Sequence, residues 1–144
     1  MATLIGIDSN VLARYIVRDE PQQTALATSF IEKVCTEESP GFIGHIVMCE
    51  LVWVLRQTYK LDKGIIVDVL AQVLRSKELE VEDTELCHAA LRDFRTGPAD
   101  FADYLLAQRN HRNGCRYTVT FDRKAARHDF FRLLIDANSM EEVS

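Results

Sequence analysis

Residues 4–17 read LIGIDSNVLARYIV, and the change of character inside this stretch decides the fold class. Leu4 to Ile7 form a short apolar run with no polar alternation, the pattern of a strand buried in a parallel sheet. Asp8 ends the run, and Ser9 and Asn10 follow, all residue types that cap a helix by accepting a backbone N–H. Val11 to Val17 then read as a short helix. The expected unit is a buried strand that passes directly into a helix.

The same alternation continues along the chain. Asp19, Glu20 and Pro21 open a second helix, with Pro21 at its first position and Ala25, Phe30, Ile31 and Val34 as apolar positions. Pro40 and Gly41 stop it, and Gly41 to Gly44 are a short strand. A long helix is expected from Ile46 to Tyr59, and another starts at Asp62 and Lys63. Leu79 to Glu82 form a weaker strand, and Thr84 to Phe94 a helix that Gly97-Pro98 breaks. Asp100 to Asn110 are helical again, Tyr117 to Phe121 are a strand ending in Asp122, and Phe130 to Leu134 a last short strand. Strands that alternate with helices imply a parallel sheet covered on both faces. The expectation is one α/β domain over residues 1–134, built on such a sheet, and a polar tail over residues 135–144.

Bulk composition narrows the setting. The chain has 144 residues, 47% hydrophobic and 27% charged, close to an ordinary globular domain with a core of its own. No apolar run approaches the ~18 residues of a membrane span. No basic segment leads into an apolar one at the N-terminus, so the expected compartment is the cytoplasm, with no membrane partner. Cys35, Cys49, Cys87 and Cys115 are widely spaced without a CxxC pair, as expected of reduced thiols. The formal charge of −5 argues against a phosphate-binding surface. Its distribution does not, because residues 109–132 hold seven Lys/Arg against two Asp.

The acids carry the chemistry. In an open parallel sheet, ligands bind outside the carboxyl ends of the strands. Asp8 and Asp122 both fall at such ends, in IGID and TVTFD. Either could simply cap the following helix, worth about 1 kcal/mol. Glu50 lies among Val47, Trp53 and Val54 at helical spacing, where an unpaired carboxylate is costly to bury. An Arg or Lys partner, or exposure through a kink, would explain it without function. Asp100 and Asp103 are three apart at a helix start and project from nearly one face. Carboxylates gathered at one end of a sheet repel each other unless a cation joins them, and oxygen-only donors favour a hard ion, Mg²⁺ or Mn²⁺.

Other chemistries fit less well. His45, His88, His111 and His128 have no metal-ligand spacing, and GxSxG, GxGxxG and P-loop motifs are missing. His45 reads as a polar loop residue, and Trp53 and Phe101 as core packing rather than base-stacking platforms.

Four segments, IDSNVLARYIV, CELVWVL, ADFADYLLA and TVTFDRKAAR, resemble in order and spacing the pattern of PIN-domain ribonucleases, and more narrowly of VapC-type toxins of bacterial toxin–antitoxin pairs. The similarity runs from about Leu4 to Leu134. Carried over position by position, it implies that Asp8, Glu50, Asp103 and Asp122 are catalytic and hold the metal, with Asp100, Ser9 and Asn10 in support. Ser9 stands where the family commonly has threonine and keeps the hydroxyl. Asp103, beside the apolar run that anchors its helix, is the expected ligand of the pair, with Asp100 nearer solvent.

The resemblance also implies Mg²⁺-dependent endonucleolytic cleavage of RNA by a metal-activated water. It further implies a parallel sheet of four or five strands flanked by helices, a cognate antitoxin, and a homodimer or toxin–antitoxin hetero-oligomer. Arg112, Arg116, Arg123, Lys124 and Arg127 are candidate RNA contacts, although a basic run is as often a solvated face or a contact for the antitoxin. Two rivals stay open. One is a phosphoryl-transfer domain of the receiver or haloacid-dehalogenase type, weakened because DSN lacks a second acid and no lysine ends the TVTF strand. The other is a catalytically inactive binding module on the same fold.

Overall fold

A computed structural model describes residues 3–135 and Met140 and alternates strands with helices in the order the sequence predicts. The chain divides into two compact units, residues 1–85 and 86–144.

The first unit runs β1 (Ile5–Gly6), α1 (Ser9–Val17), α2 (Pro21–Ser29), β2 (Gly41–Ile43), α3 (His45–Gln57), α4 (Lys63–Arg75) and β3 (Leu79–Val81). Its three strands are parallel in the order β1-β2-β3. Ile5 lies opposite Gly41 in β2, which in turn faces Leu79 in β3. Gly41 is required by close approach: a Cβ there would run into the Ile7 side chain and stand 3.2 Å from the Cys35 sulfur. The buried side chains include Leu12 of α1, Met48, Leu51 and Leu55 of α3, and Ile66 and Leu70 of α4.

Local chemistry sets most of the helix starts. Asp8 caps α1. Glu20 caps α2 just ahead of Pro21, its carboxylate accepting from the Gln22 and Gln23 N–H groups. Asp62 caps α4 by accepting from the Ile65 N–H at 3.1 Å. Helix α3 follows Gly44, which has no side chain to offer. Glu82, just past β3, supplies its carboxylate to the His45 N–H instead, at 2.9 Å. His45 is therefore a buried first residue of a helix, not a loop residue, because the tertiary fold brings it an acceptor from far along the chain.

Two further expectations are corrected in this unit. Leu4, Ile5 and Gly6 are exposed and only Ile7 is buried, since β1 is an edge strand and an apolar run is covered on both sides only in the middle of a sheet. The second helix does not continue evenly to Val34: α2 ends at Ser29 and a single π-turn spans Phe30–Val34. Arg14 ties the helix ends together. Its Nε donates to Gln23 at 2.7 Å, and its NH1 group donates to Asp19 at 3.0 Å and to the Tyr59 hydroxyl at 2.7 Å. Tyr59 in turn donates to Asp19 at 3.2 Å.

The second unit is built from α5 (Thr84–Thr96, which begins at the boundary), α6 (Phe101–Arg112), β4 (Thr118–Thr120) and β5 (Phe131–Leu133). A 3₁₀ turn over Ala125–Arg127 separates the last two strands. β4 and β5 are parallel, with Thr118 opposite Phe131. The expected α/β class is thus observed, the five parallel strands among the described residues hydrogen-bonded as a sheet of three and a sheet of two.

Phe94 of α5 and Phe101 of α6, both fully buried, meet edge to face at 6.1 Å. The Gly97-Pro98 break between these helices is fixed by Tyr104, whose hydroxyl accepts from the Ala99 N–H at 3.0 Å. Any Cβ on Gly97 would collide with that hydroxyl. A polar clasp joins the rest. Asp93 of α5 accepts from Gln108 of α6 at 2.8 Å and pairs with Nε2 of His128 at 2.9 Å. The His128 Nδ1 accepts from the Phe130 N–H at 3.0 Å, so Nε2 carries the proton offered to Asp93.

None of the cysteines forms a disulfide. Among the described residues no helix is long and apolar enough to cross a membrane. The polar tail expected over residues 135–144 lies mostly outside the described residues; Ile135 is exposed, and the Met140 carbonyl accepts from the Tyr117 hydroxyl at 3.2 Å.

Candidate active site

In the first unit, Asp8 leaves β1 in extended conformation and caps α1. Its Oδ1 accepts from the Ser9 N–H at 2.7 Å, with the Ser9 hydroxyl at 3.4 Å. One carboxylate oxygen is thus oriented by the helix start while the group itself stays exposed. Ser9 is buried beneath it and Asn10 is exposed beside it. Asp8 and Asn10 border a cleft of about 550 Å³ whose walls are otherwise largely apolar, with Val11, Leu26 and Phe30 facing it and Arg14 at its margin.

Glu50 is also exposed, and this resolves the apparent conflict in its sequence setting. The buried face of α3 carries Met48, Leu51, Val52 and Leu55. Glu50 lies on the opposite face between Ile46 and Trp53, and Trp53 is 62% exposed. The expectation that Trp53 packs in the core is therefore wrong, whereas Phe101 is fully buried as expected. Leu51, Val52 and Leu55 already supply an apolar stripe at helical spacing, so α3 buries its face without the indole.

In the second unit, Asp100 is the N-cap of α6 and is exposed, while Asp103 is half-buried one turn on. The Asp103 Oδ2 accepts from the Asp100 N–H at 3.2 Å, the returning arm of a capping box. Burial pushes the Asp103 carboxyl above its ordinary value, the negative charges of Asp100 and Asp122 add to that rise, and the backbone hydrogen bond offsets part of it. Asp122 follows β4 and is exposed. Its Oδ1 accepts from the N–H groups of Lys124 at 2.7 Å and Ala125 at 3.2 Å, which starts the 3₁₀ turn.

Among the described residues, no group of three or more His, Cys, Asp or Glu side chains stands close enough to hold a metal ion as a cluster. What the second unit does bring together is charge: Asp100 and Asp122 both act on the half-buried Asp103. An all-oxygen donor set fits a hard divalent cation. Arg112, Arg116, Arg123, Lys124 and Arg127 are all exposed, and Arg116 and Arg132 both lie against the Tyr117 ring, at 5.7 and 5.2 Å.

Sequence reading missed the Asp93–His128 pair, which holds the segment following Asp122, and missed Phe121, which is 80% exposed. The first depends on residues far apart in the chain and leaves no local trace. The second had a signal, since Val119 and Phe121 alternate along one side of the strand and its extension.

Parallel strands that run into helices, with aspartates capping those helices, define an acid-bearing α/β protein. The PIN domain model matches residues 5–131, and the chain belongs to that family, whose fold is of nuclease type and whose nucleases typically use divalent metals. No curated protein matches the chain.

Proposed function

We propose that this chain is a metal-dependent endoribonuclease that hydrolyses RNA phosphodiesters and acts as the toxin of a toxin–antitoxin pair. The observation that carries the reading is Asp103, a half-buried carboxyl whose proton affinity is raised by burial and by Asp100 and Asp122. The neighbouring charges of Asp100 and Asp122 that help to raise Asp103 would also attract a cation, which supports placing one beside it.

Asp8 and Glu50 of the first unit and Asp103 and Asp122 of the second are assigned to one or two ions, Mg²⁺ or alternatively Mn²⁺, bound directly or through water. When bound, the ion supplies a water of lowered pKa and a positive charge beside the scissile phosphate. The side chains do the rest by position. Asp8 and Asp122 present carboxylates already oriented by backbone N–H groups, leaving their remaining oxygen capacity for a ligand. Ser9 and Asn10 support Asp8, and Asp100 keeps α6 started where Asp103 projects. The exposed cations Arg112, Arg116, Arg123, Lys124 and Arg127 are assigned to the RNA backbone.

For the partner, the apolar cleft beside Asp8 and the exposed apolar residues Leu26, Ile46 and Trp53 are surfaces suited to an antitoxin or a second copy of the chain. The test is an RNase assay on the purified chain with Mg²⁺, with Mn²⁺ and with EDTA, beside Asp103→Asn. Cleavage that needs the metal and is lost in the variant supports the proposal. Cleavage unchanged in EDTA refutes it.

A further inference from the structure

We propose that Phe121 is a stacking platform for an unpaired nucleobase of the bound RNA; this rests on the ribonuclease reading above. Phe121 is 80% exposed, a large apolar surface left in water directly before Asp122. It does not sit on a loose loop. The Asp122 N–H donates to the Thr120 hydroxyl at 3.0 Å, the Asp122 carboxylate accepts from Lys124 and Ala125, and its carbonyl accepts from the Ala126 N–H at 3.0 Å. The peptide that carries the ring is therefore fixed on its C-terminal side by the turn and on its N-terminal side by β4. A platform held this way costs little ordering when a base settles on it.

The charge of the segment that follows the ring selects the occupant. Arg123, Lys124 and Arg127 follow within the same short segment and are all exposed. Exposed aromatic surface interleaved with cations is the surface of proteins that bind single-stranded nucleic acid, where the ring stacks on a base and the cations track the backbone. A duplex keeps its bases stacked on one another and offers only edges, so the same ring gains nothing from it without unstacking a pair. Cations contribute to both substrates and Phe121 only to the unpaired one.

The test is fluorescence anisotropy of a short labelled RNA and of the same sequence as a duplex, both in EDTA so that no metal-dependent cleavage intervenes. Phe121→Ala is expected to weaken single-strand binding on the order of tenfold while leaving duplex binding unchanged. Phe121→Trp should restore the single-strand affinity. Lys124→Ala should flatten the salt dependence for both RNAs alike. The proposal is overturned if Phe121→Ala changes neither affinity or lowers both equally. It is also overturned if Phe121→Leu binds as the unsubstituted chain does, or if Phe121→Ala alters the oligomeric state seen by sedimentation. Thermal melting of each variant checks that the fold is kept. A protein that stacks RNA in this assay yet cleaves none with metal would refute the ribonuclease reading and not the platform.

Discussion

The Asp103 carboxylate accepts a hydrogen bond from the Asp100 N–H at 3.2 Å, so the acid assigned to the metal also helps to start the helix that carries it. The two roles oppose each other in energy. Burial, together with the charges of Asp100 and Asp122, raises the Asp103 carboxyl above its ordinary 3.8, so in the absence of a cation its ionisation costs more in the folded state than in the unfolded chain. The stability this contributes is present at low pH and is lost as pH rises through the folded-state value. Asp103→Asn keeps an acceptor for the Asp100 N–H and removes the charge. The variant is expected to melt higher than the parent at neutral pH, with the difference closing in acid, and to lose RNA cleavage. A lower melting temperature at neutral pH would count against this account. Added Mg²⁺ should raise the melting temperature of the parent more than that of the variant, which ligand linkage makes measurable.

Asp8 separates capping from catalysis. Asn caps a helix about as well as Asp, whereas Ala costs about 1 kcal/mol at such a position. Asp8→Asn should leave denaturant stability nearly unchanged, and Asp8→Ala should lower it by about that amount. Both should abolish cleavage. Full activity in the stable Asn variant would remove Asp8 from the proposed metal set.

Trp53 and Leu51 test the orientation of α3. Trp53→Ala is expected to change stability by no more than about 0.5 kcal/mol, as for an exposed position. Leu51, fully buried two residues earlier, should cost about 2–5 kcal/mol when cut to Ala. Trp53 is the one tryptophan of the chain, so its native emission reports its surroundings directly. A water-exposed indole spectrum is expected; a buried one would reverse the assignment of the face on which Glu50 lies.

Tyr59 tests the knot at the end of α1. Desolvation alone would raise the Asp19 carboxyl, but the hydrogen bond from Arg14, with a lesser one from Tyr59, holds it below the ordinary value. Stability from such a group is present above the ordinary carboxylate range and is lost as pH falls through the lower folded value. Tyr59→Phe removes one of these bonds and should lower the melting temperature at neutral pH, with the deficit shrinking in strong acid. A deficit that stays constant with pH would point to packing instead.

Residue identity alone made much of this legible. Asp8, Glu20 with Pro21, and Asp62 each announce a helix start, because a cap is made between neighbours one to three residues apart. The Gly97-Pro98 break and the acids at IGID and TVTFD were equally plain. The cap on α3 was not, since Glu82 reaches His45 across a separation of 37 residues. Nor was the outward turn of Trp53, for α3 is apolar on more than one face and only its packing chose which to bury.

The sequence by itself therefore determined the order of strands and helices, their parallel sense, and the acids available for chemistry. These follow from local capping, hydrophobic spacing and the short links between elements. Tertiary structure alone decided that β1 is an exposed edge, that the strands pair as sheets of three and two, and that Phe121 and Trp53 face water. It also decided that Asp103 feels Asp100 and Asp122. Burial and electrostatic coupling are set by neighbours that are distant in the chain, and no single stretch of sequence states which neighbours those will be.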